Sequence, residues 1–476
     1  MFEFIKRSFL VYFSIVSFSA MGSVGLPLNQ KIQELIKATG QDINVGIYFR
    51  NLDSKKDKYQ FHKNRKFVPA STTKLFTAYA ALHYLGADFQ YQTNLIAEHP
   101  VSKAGVLEGD LSIKFAGDPT FTYADLEHML KESAISKIQG DFIIDANIFD
   151  DRTSSPGSFT WDDQPFCYAA PTSAVIIDNN CSEAKMWPSN SMGKKAELEI
   201  ASPDILHIDN SVNTVRPTQT PCPYKSKYLK DNSYSVYGCL FNDTKSPIRL
   251  NFALPDNKLM AENYVKRALH KLGVPLTGHI KFSKSSGNKI LYTHKSVELR
   301  ELLVPVMHDS LNLASASLFK YLSYKNNGKQ GSDENSEIIV RDILLAHGLD
   351  KDSFSLKDGS GASRYNLASP KALVDLLDIA YHSKKISKDF IATLPSYGSD
   401  STLKSRNVDL KYNQNIHAKT GMLRNIASLS GYYLPKESGQ KYAFAIMVNN
   451  HFLSSQQVKD LEDQILCAVL DSIHAK

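Results

Sequence analysis

Cysteine is scarce, with five in 476 residues, and Cys167, Cys181, Cys222, Cys239 and Cys467 form no C-x-x-C pair. That spacing excludes a zinc ribbon or a thioredoxin-like redox motif. The 14 histidines supply no H-E-x-x-H or H-x-x-E-H, which disfavours a metallopeptidase; no metal and no cofactor are expected. Lysine plus arginine exceed aspartate plus glutamate by only 6, without basic stripes, so no nucleic-acid partner is expected. Glycine (24) and proline (19) are not in excess, which excludes collagen-like and mostly disordered chains. No repeat or low-complexity segment occurs, and past the N-terminus no stretch approaches 18 consecutive apolar residues.

What is present begins with an address. Lys6 and Arg7 precede an apolar run, Ser8 to Ala20, and small residues follow. Residues 1–25 read as a secretory signal, cleaved after Gly22 or Gly25; an uncleaved anchor is the other reading. Export allows disulfides, and five cysteines read as two bridges with a spare thiol, or else as five reduced thiols. The C-terminal pattern from Val458 to Ile473 sets one lysine, Lys459, against Asp460, Glu462, Asp463 and Asp471. It reads as a helix packed on the core, not one lying on a membrane.

At ~150 residues per domain the length favours about three domains. Asn44 to Leu52 alternates as a half-buried strand, and Ser71 to Leu85 reads as a buried helix closed by Gly86. Residues 93–290 differ: strand-like runs at Leu111 to Phe115, Asp141 to Ile144 and Ala174 to Ile177 sit among turns and four of the cysteines. This stretch reads as a β-rich insertion of two subdomains, splitting one domain into 26–92 and 291–476. Helical patterns follow at Val297 to Met307, Ser315 to Tyr324 and Glu337 to His347, then strands at Ala427 to Leu434 and Tyr442 to Val448.

Three short motifs carry chemistry. Ser71-Thr72-Thr73-Lys74 opens the buried helix, where positions i and i+3 share a face roughly 5 Å apart along the axis. A desolvated lysine there can lose its proton and then take one from the serine, while the helix N-terminus favours an oxyanion. Alone the motif is weak, since its spacing recurs at Ser191, Ser286, Ser401 and Ser438. Ser310-Leu311-Asn312 lies between two helical patterns, where its hydroxyl could relay a proton and its amide could hold the lysine, though alone it reads as a helix cap. Lys419-Thr420-Gly421 stands just before a strand; its charge and hydroxyl suit a carboxylate, and glycine admits a substrate backbone.

In this order the three motifs resemble the signature of penicillin-binding proteins and serine β-lactamases. The chain is further identified with the D-alanyl-D-alanine carboxypeptidase/endopeptidases, the low-molecular-mass class C penicillin-binding proteins. That resemblance runs through Gly117-Asp118-Pro119-Thr120, Tyr168-Ala169-Ala170-Pro171, Asp178-Asn179-Asn180, Asp358-Gly359-Ser360-Gly361 with Arg364, and Ser430-Gly431-Tyr432. It implies an α/β (α+β) transpeptidase core, an antiparallel sheet flanked by helices, with a long insertion between the first two motifs. It implies Ser71 as acylated nucleophile, Lys74 as base, Ser310 and Asn312 in proton transfer and positioning, and Lys419 with Thr420 at the substrate carboxylate. It places the oxyanion at the N–H groups of Ser71 and Met422 beside Gly421, a stem-peptide contact at Arg364, and a contact to a substrate amino group at Asp145. It favours Cys167–Cys181 and Cys222–Cys239 as the bridges. The implied partners are peptidoglycan stem peptides and cross-links, with β-lactams as covalent inhibitors, in the periplasm.

Three positions depart from that pattern: Met422 replaces a Thr or Ser, Ala316 a common acidic residue, and Arg424 a polar uncharged one. No Glu-x-x-Leu-Asn element lies between Ser310 and Lys419, so a class A β-lactamase is disfavoured and slow deacylation of penicillin is expected. The reading of a different class is a non-catalytic peptidoglycan-binding or scaffolding protein on the same fold. His308 and His417 flank motifs and read as packing or hydrogen-bonded neighbours.

Overall fold

The computed structural model describes residues 27–218, 222–406, 408–436 and 439–475; the segment read as a secretory signal lies outside them. A five-stranded antiparallel sheet runs in the order Ile416–Leu423, Ile426–Tyr433, Tyr442–Asn449, Asn44–Asn51, Asp57–Phe61. Both chain ends therefore build one sheet, and its edge strand carries Lys419-Thr420-Gly421. The motif lies inside a strand of its own, whereas residue patterning indicates only the strand that follows.

Period-two alternation explains how the sheet is sandwiched. On Tyr442–Asn449, Phe444, Ile446 and Val448 face the C-terminal helix Ser455–His474, while Ala443, Ala445 and Met447 face a cluster of helices. Asn44–Asn51 is likewise buried on both faces, correcting the half-buried expectation: Val45, Ile47 and Phe49 join one cluster and Tyr48 the other. The helix cluster centres on Lys74–Leu85, where every residue from 74 to 82 is buried. Around it pack Leu299–His308, Asn312–Asn327, Asp333–Ala346 and Pro370–His382. Among the described residues no helix is long and apolar enough to cross a membrane.

The chain leaves this body through strand Gln92–Ala97 and returns through Lys289–Lys295, which pairs with it antiparallel. Between them a second five-stranded sheet is mixed, with Phe142–Asp145 parallel to both Leu111–Lys114 and Ile280–Phe282. Helices Tyr123–Glu132 and Asn257–Leu272 cover it through Leu126, Met129, Met260 and Val265, an element type that the turn-rich composition hides. Two three-stranded sheets and a two-stranded one, Val106–Leu107 with Lys137–Ile138, complete the stretch. Cys167–Cys181 and Cys222–Cys239 are bridged, with Cα–Cα separations of 5.6 and 5.5 Å.

Ala174 to Ile177 is not a strand. The segment is buried, but Asn180 satisfies its backbone instead of a neighbouring strand: its side chain accepts from Ile177 N–H and donates to the carbonyls of Pro171 and Val175. Asp178, Asn179 and Asn180 then turn the chain at positive φ, which Asn and Asp tolerate better than most residues.

Candidate active site

Pro69 to Thr73 sets the geometry. Ala70 sits at φ 49° and the next residues wind as a 3-10 turn, Ala70–Thr73, so the α-helix proper starts at Lys74. In a 3-10 turn residues i and i+3 eclipse one another, a closer superposition than the α-helical spacing read from the sequence. Lys74 Nζ consequently lies 3.1 Å from Ser71 Oγ. The turn is pinned by the Pro69 carbonyl, which accepts from the hydroxyls of Thr72 and Ser428.

Lys74 is fully buried and its other contacts are acceptors: Asn312 Oδ1 at 2.7 Å and the Ser360 carbonyl at 2.6 Å. Burial drives its ammonium pKa down to about 7, with Asp358 opposing. A neutral amine has two N–H groups and one lone pair. As an ammonium Nζ donates to all three oxygens; in the neutral form Asn312 and Ser360 would take the N–H groups and the lone pair would face the Ser71 hydroxyl.

The Ser360 carbonyl is held there by one carboxylate. Asp358, buried, accepts from the backbone N–H groups of Gly361, Ala362 and Ser363, from Ser360 Oγ and from Asn366 Nδ2. Side chains at Gly361 and Gly421 would meet the Ser71 backbone nitrogen at 2.9 Å, so the loop at Gly361 and the edge strand at Gly421 approach the nucleophile as only glycine allows.

Ser310, at φ 61°, ends the turn between two helices and accepts a 3.0 Å hydrogen bond from Lys419 Nζ. Lys419 also donates to the Thr420 carbonyl at 2.8 Å. It is fully buried, and burial together with the charge of Lys74 pushes its pKa well below the ordinary lysine range, against Asp309. Asn312 Nδ2 donates to the Tyr168 carbonyl at 2.9 Å, tying the helix to the insertion. Thr420 shares a 2.8 Å hydroxyl contact with Thr402.

Of these, Ser71, Ser310, Asn312, Gly361, Thr402 and Thr420 line a cleft of about 600 Å³, with both lysines buried behind them. Met422 and Arg424 are at its mouth with Arg364, whose guanidinium donates to the Arg424 carbonyl at 3.3 Å. Asp145 is not there. It is 2% exposed and accepts from Ser285 and Asn147, so its carboxylate is a fastening within the insertion. The cleft's acidic group on the side of Arg364 is Asp163, which no sequence motif singles out. Burial would raise its carboxyl, but hydrogen bonds from Thr160 and Tyr168 and the charge of Arg364 hold it below the usual range. His308 and His417 do not line the cleft; burial lowers the pKa of each. Ala316 lies behind it, at a narrow gap shared with Asn312, Asp358 and Ser360.

The D-Ala-D-Ala carboxypeptidase 3 (S13) family matches residues 28–470. The chain is 29% identical over 445 residues to the D-alanyl-D-alanine carboxypeptidase DacB of Haemophilus influenzae, covering 91% of this chain and 92% of that one. It superposes on the crystal structure of penicillin binding protein 4 (dacB) from Haemophilus influenzae with a TM-score of 0.84 at 27% identity, over 93% of this chain and 99% of the other. The same protein complexed with a novel β-lactam matches with a TM-score of 0.78 at 27% identity, over the same shares.

Proposed function

This chain belongs to the D-Ala-D-Ala carboxypeptidase 3 (S13) family, and from that premise we propose that Ser71 is its nucleophile and Lys74 the base. It is a serine-type D-Ala-D-Ala carboxypeptidase, a hydrolase of peptidoglycan peptides. The observation that carries the assignment is the fully buried Lys74 Nζ, 3.1 Å from Ser71 Oγ and otherwise in contact with two acceptors, Asn312 Oδ1 and the Ser360 carbonyl.

Ser71 Oγ attacks the carbonyl of the penultimate D-Ala while its proton passes to Lys74 Nζ. The oxyanion is received by the N–H groups of Ser71 and Met422. Collapse breaks the peptide bond, and the departing amine takes its proton by way of Ser310. Water then hydrolyses the ester on Ser71 and frees the shortened peptide. Lys419 and Thr420 hold the terminal carboxylate, and Asp163 with Arg364 offers opposite charges to a stem residue bearing both an amine and a carboxylate. The same step with a cross-link amine as leaving group is endopeptidase action. A β-lactam acylates Ser71 likewise and leaves an ester that water resolves slowly. The division of the chain into a peptidase body, 26–92 and 291–476, and an insertion, 93–290, belongs to this proposal. So does a periplasmic setting, supported by the N-terminal apolar run and the two disulfides.

Intact-mass spectrometry after incubation with benzylpenicillin tests the nucleophile. A one-to-one adduct is expected, absent in Ser71→Ala. No adduct on folded wild-type protein would remove the acyl-enzyme and leave a non-catalytic peptidoglycan binder as the better reading.

A further inference from the structure

One irregular loop, 153–172, forms a wall of the catalytic cleft. Its two ends meet where the Thr172 N–H donates to the Thr153 carbonyl at 2.8 Å. Between them Ser158, Phe159, Thr160, Asp162, Asp163 and Tyr168 line the same cleft as Ser71. A loop of this kind has no strand ladder to set its register, so its placement depends on the contacts that anchor it.

Many of those contacts come from one face of helix Asn312–Asn327. Positions 312, 316 and 320 are spaced i, i+4 and i+8, which sets them in a row about 12 Å long. At the cleft end Asn312 accepts from Lys74 through Oδ1 and donates through Nδ2 to the Tyr168 carbonyl, so it joins the base to the far end of the loop. In the middle Ala316 shares a narrow gap with Ser155, Ser158 and Phe159. At the other end Lys320, 1% exposed, donates from Nζ to Asp150 Oδ1 at 2.7 Å and to the Arg152 carbonyl. Both acceptors lie just before the root of the loop. Burial raises the carboxyl of Asp333 to about 6, and the charge of Lys320 opposes that rise, so the ammonium has acids on two sides.

A buried ion pair is a poor source of stability, since desolvation offsets most of the attraction and an apolar side chain often does as well. What the lysine adds is geometry. An ammonium that reaches a carboxylate and a carbonyl two residues apart holds that stretch of backbone in one position. The chain then passes through the hydrogen bonds of Ser363 Oγ to the Pro156 carbonyl and of Arg364 N–H to the Gly157 carbonyl before it reaches Asp163.

We propose that Lys320 is a positioning residue for substrate recognition: by gripping Asp150 and the Arg152 carbonyl it sets the register of loop 153–172 and so holds Asp163 at the cleft. Lys320 touches neither the substrate nor the reacting atoms. The proposal rests on the reading of Asp163 as partner of a stem-residue amine.

The test compares wild type with the double variant Lys320→Met/Asp150→Asn. Both charges of the contact go together, so neither is left stranded and the fold is expected to survive. Two substrates are used, a D-Ala-D-Ala pentapeptide with a free side-chain amine and the same peptide N-acetylated on that amine. Wild type is expected to take the amine form at the lower KM. The double variant should raise the KM of the amine form about tenfold, with kcat, the KM of the acetylated form and the rate of penicillin acylation within about twofold of wild type. Amide hydrogen exchange should quicken at least about fivefold over 151–163 and keep its rate in strands Ile426–Tyr433 and Tyr442–Asn449. An unchanged KM for the amine form, unchanged exchange over 151–163, or an equal loss on both peptides and on penicillin would each overturn the proposal. Asp163→Ala separates it from the reading beneath it. That variant should abolish the preference for the amine form; if it does not, the assignment of Asp163 falls and takes the role of Lys320 with it. If it does and the double variant still prefers the amine form as wild type does, only the role of Lys320 falls.

Discussion

Two buried charge clusters lie in the peptidase body, and they are mirror images. Under the C-terminal helix, Arg406 meets Glu462 and Asp463 at 2.9 Å, with Tyr397 donating to Asp463 at 2.9 Å. At the cleft, Lys74 and Lys419 stand together with no carboxylate in contact among the described residues, Asp358 and Asp309 acting only at a distance. Both clusters carry unmatched like charge in dry surroundings, one carboxylate in excess beside Arg406 and two ammonium groups at the cleft. Burial pushes members of each toward the neutral form: Glu462 up to about 7, Lys74 down to about 7, and Lys419 well below the ordinary lysine range. The physics is the same in both. What separates them is what they touch: the arginine cluster is sealed, at 1% side-chain exposure, whereas Lys74 and Lys419, themselves fully buried, contact Ser71 and Ser310, whose hydroxyls line the cleft. A neutralised buried group is a structural compromise until a reactant can reach it.

Removing the lone pair breaks the comparison most severely. Lys74→Met keeps the bulk and the burial but has nothing to accept the Ser71 proton. Penicillin acylation is expected to fall roughly 10²- to 10⁴-fold, the range for loss of a general base. In the wild type, acylation should rise about tenfold per pH unit up to about pH 7 and then level, since only the neutral amine accepts. Stopped-flow acylation rates across pH measure both.

The sealed cluster responds differently. Arg406→Met leaves Glu462 and Asp463 without their cation, and breaking a buried pair in this way costs about 3–5 kcal/mol of stability. The Glu462 carboxyl would then rise further. A carboxyl raised on folding contributes stability below its unfolded value and loses it as pH climbs through the folded one, so the deficit should be smaller at pH 5 than at pH 8. Chemical denaturation at the two pH values checks this, and the acylation rate of the folded variant should match wild type.

What the sequence reveals follows the same division. The three motifs are contiguous runs whose residue types state their chemistry, and Ser71 and Lys74 are close enough in the chain for their spacing to imply contact. The sheet strands at the C-terminus are readable because their apolar residues are dense. Asp358 figures in the resemblance but its role is hidden, because its partners are mostly backbone N–H groups, which leave no mark in residue types. That Asp163 lines the cleft and Asp145 does not is hidden from residue types, because which acid faces a cleft depends on how residues 93–290 fold back on the rest. The Arg406 cluster joins residues more than fifty positions apart, a pairing no local pattern displays.

Asp358 sharpens the comparison by altering the field at the lysine without touching the reacting atoms. Asp358→Asn cannot accept from all five donors, so the loop that presents the Ser360 carbonyl should loosen. Acylation is expected to drop roughly 10- to 100-fold, the worth of one charge-assisted hydrogen bond at about 1.5–3 kcal/mol. The sign of the pH effect distinguishes this from mere damage. Asp358 raises the Lys74 pKa, so its removal should move the acidic limb of the acylation profile below that of wild type.

The smallest effect tests what access admits. Met422, 37% exposed at the mouth of the cleft, puts a thioether where a hydroxyl could meet a substrate carboxylate. Met422→Thr leaves the lysine pair and its burial alone, so β-lactam acylation should keep its pH profile. A single added hydrogen bond is worth about 0.5–1.5 kcal/mol, or roughly a two- to tenfold gain in kcat/KM on peptides ending in free D-Ala. Cross-linked muropeptides, whose neighbouring residue presents no carboxylate at that point, should gain less. Parallel digestion of pentapeptide and cross-linked dimer by both proteins measures the ratio. An equal change on both substrates would place Met422 outside carboxylate recognition and leave selectivity to Lys419 and Thr420.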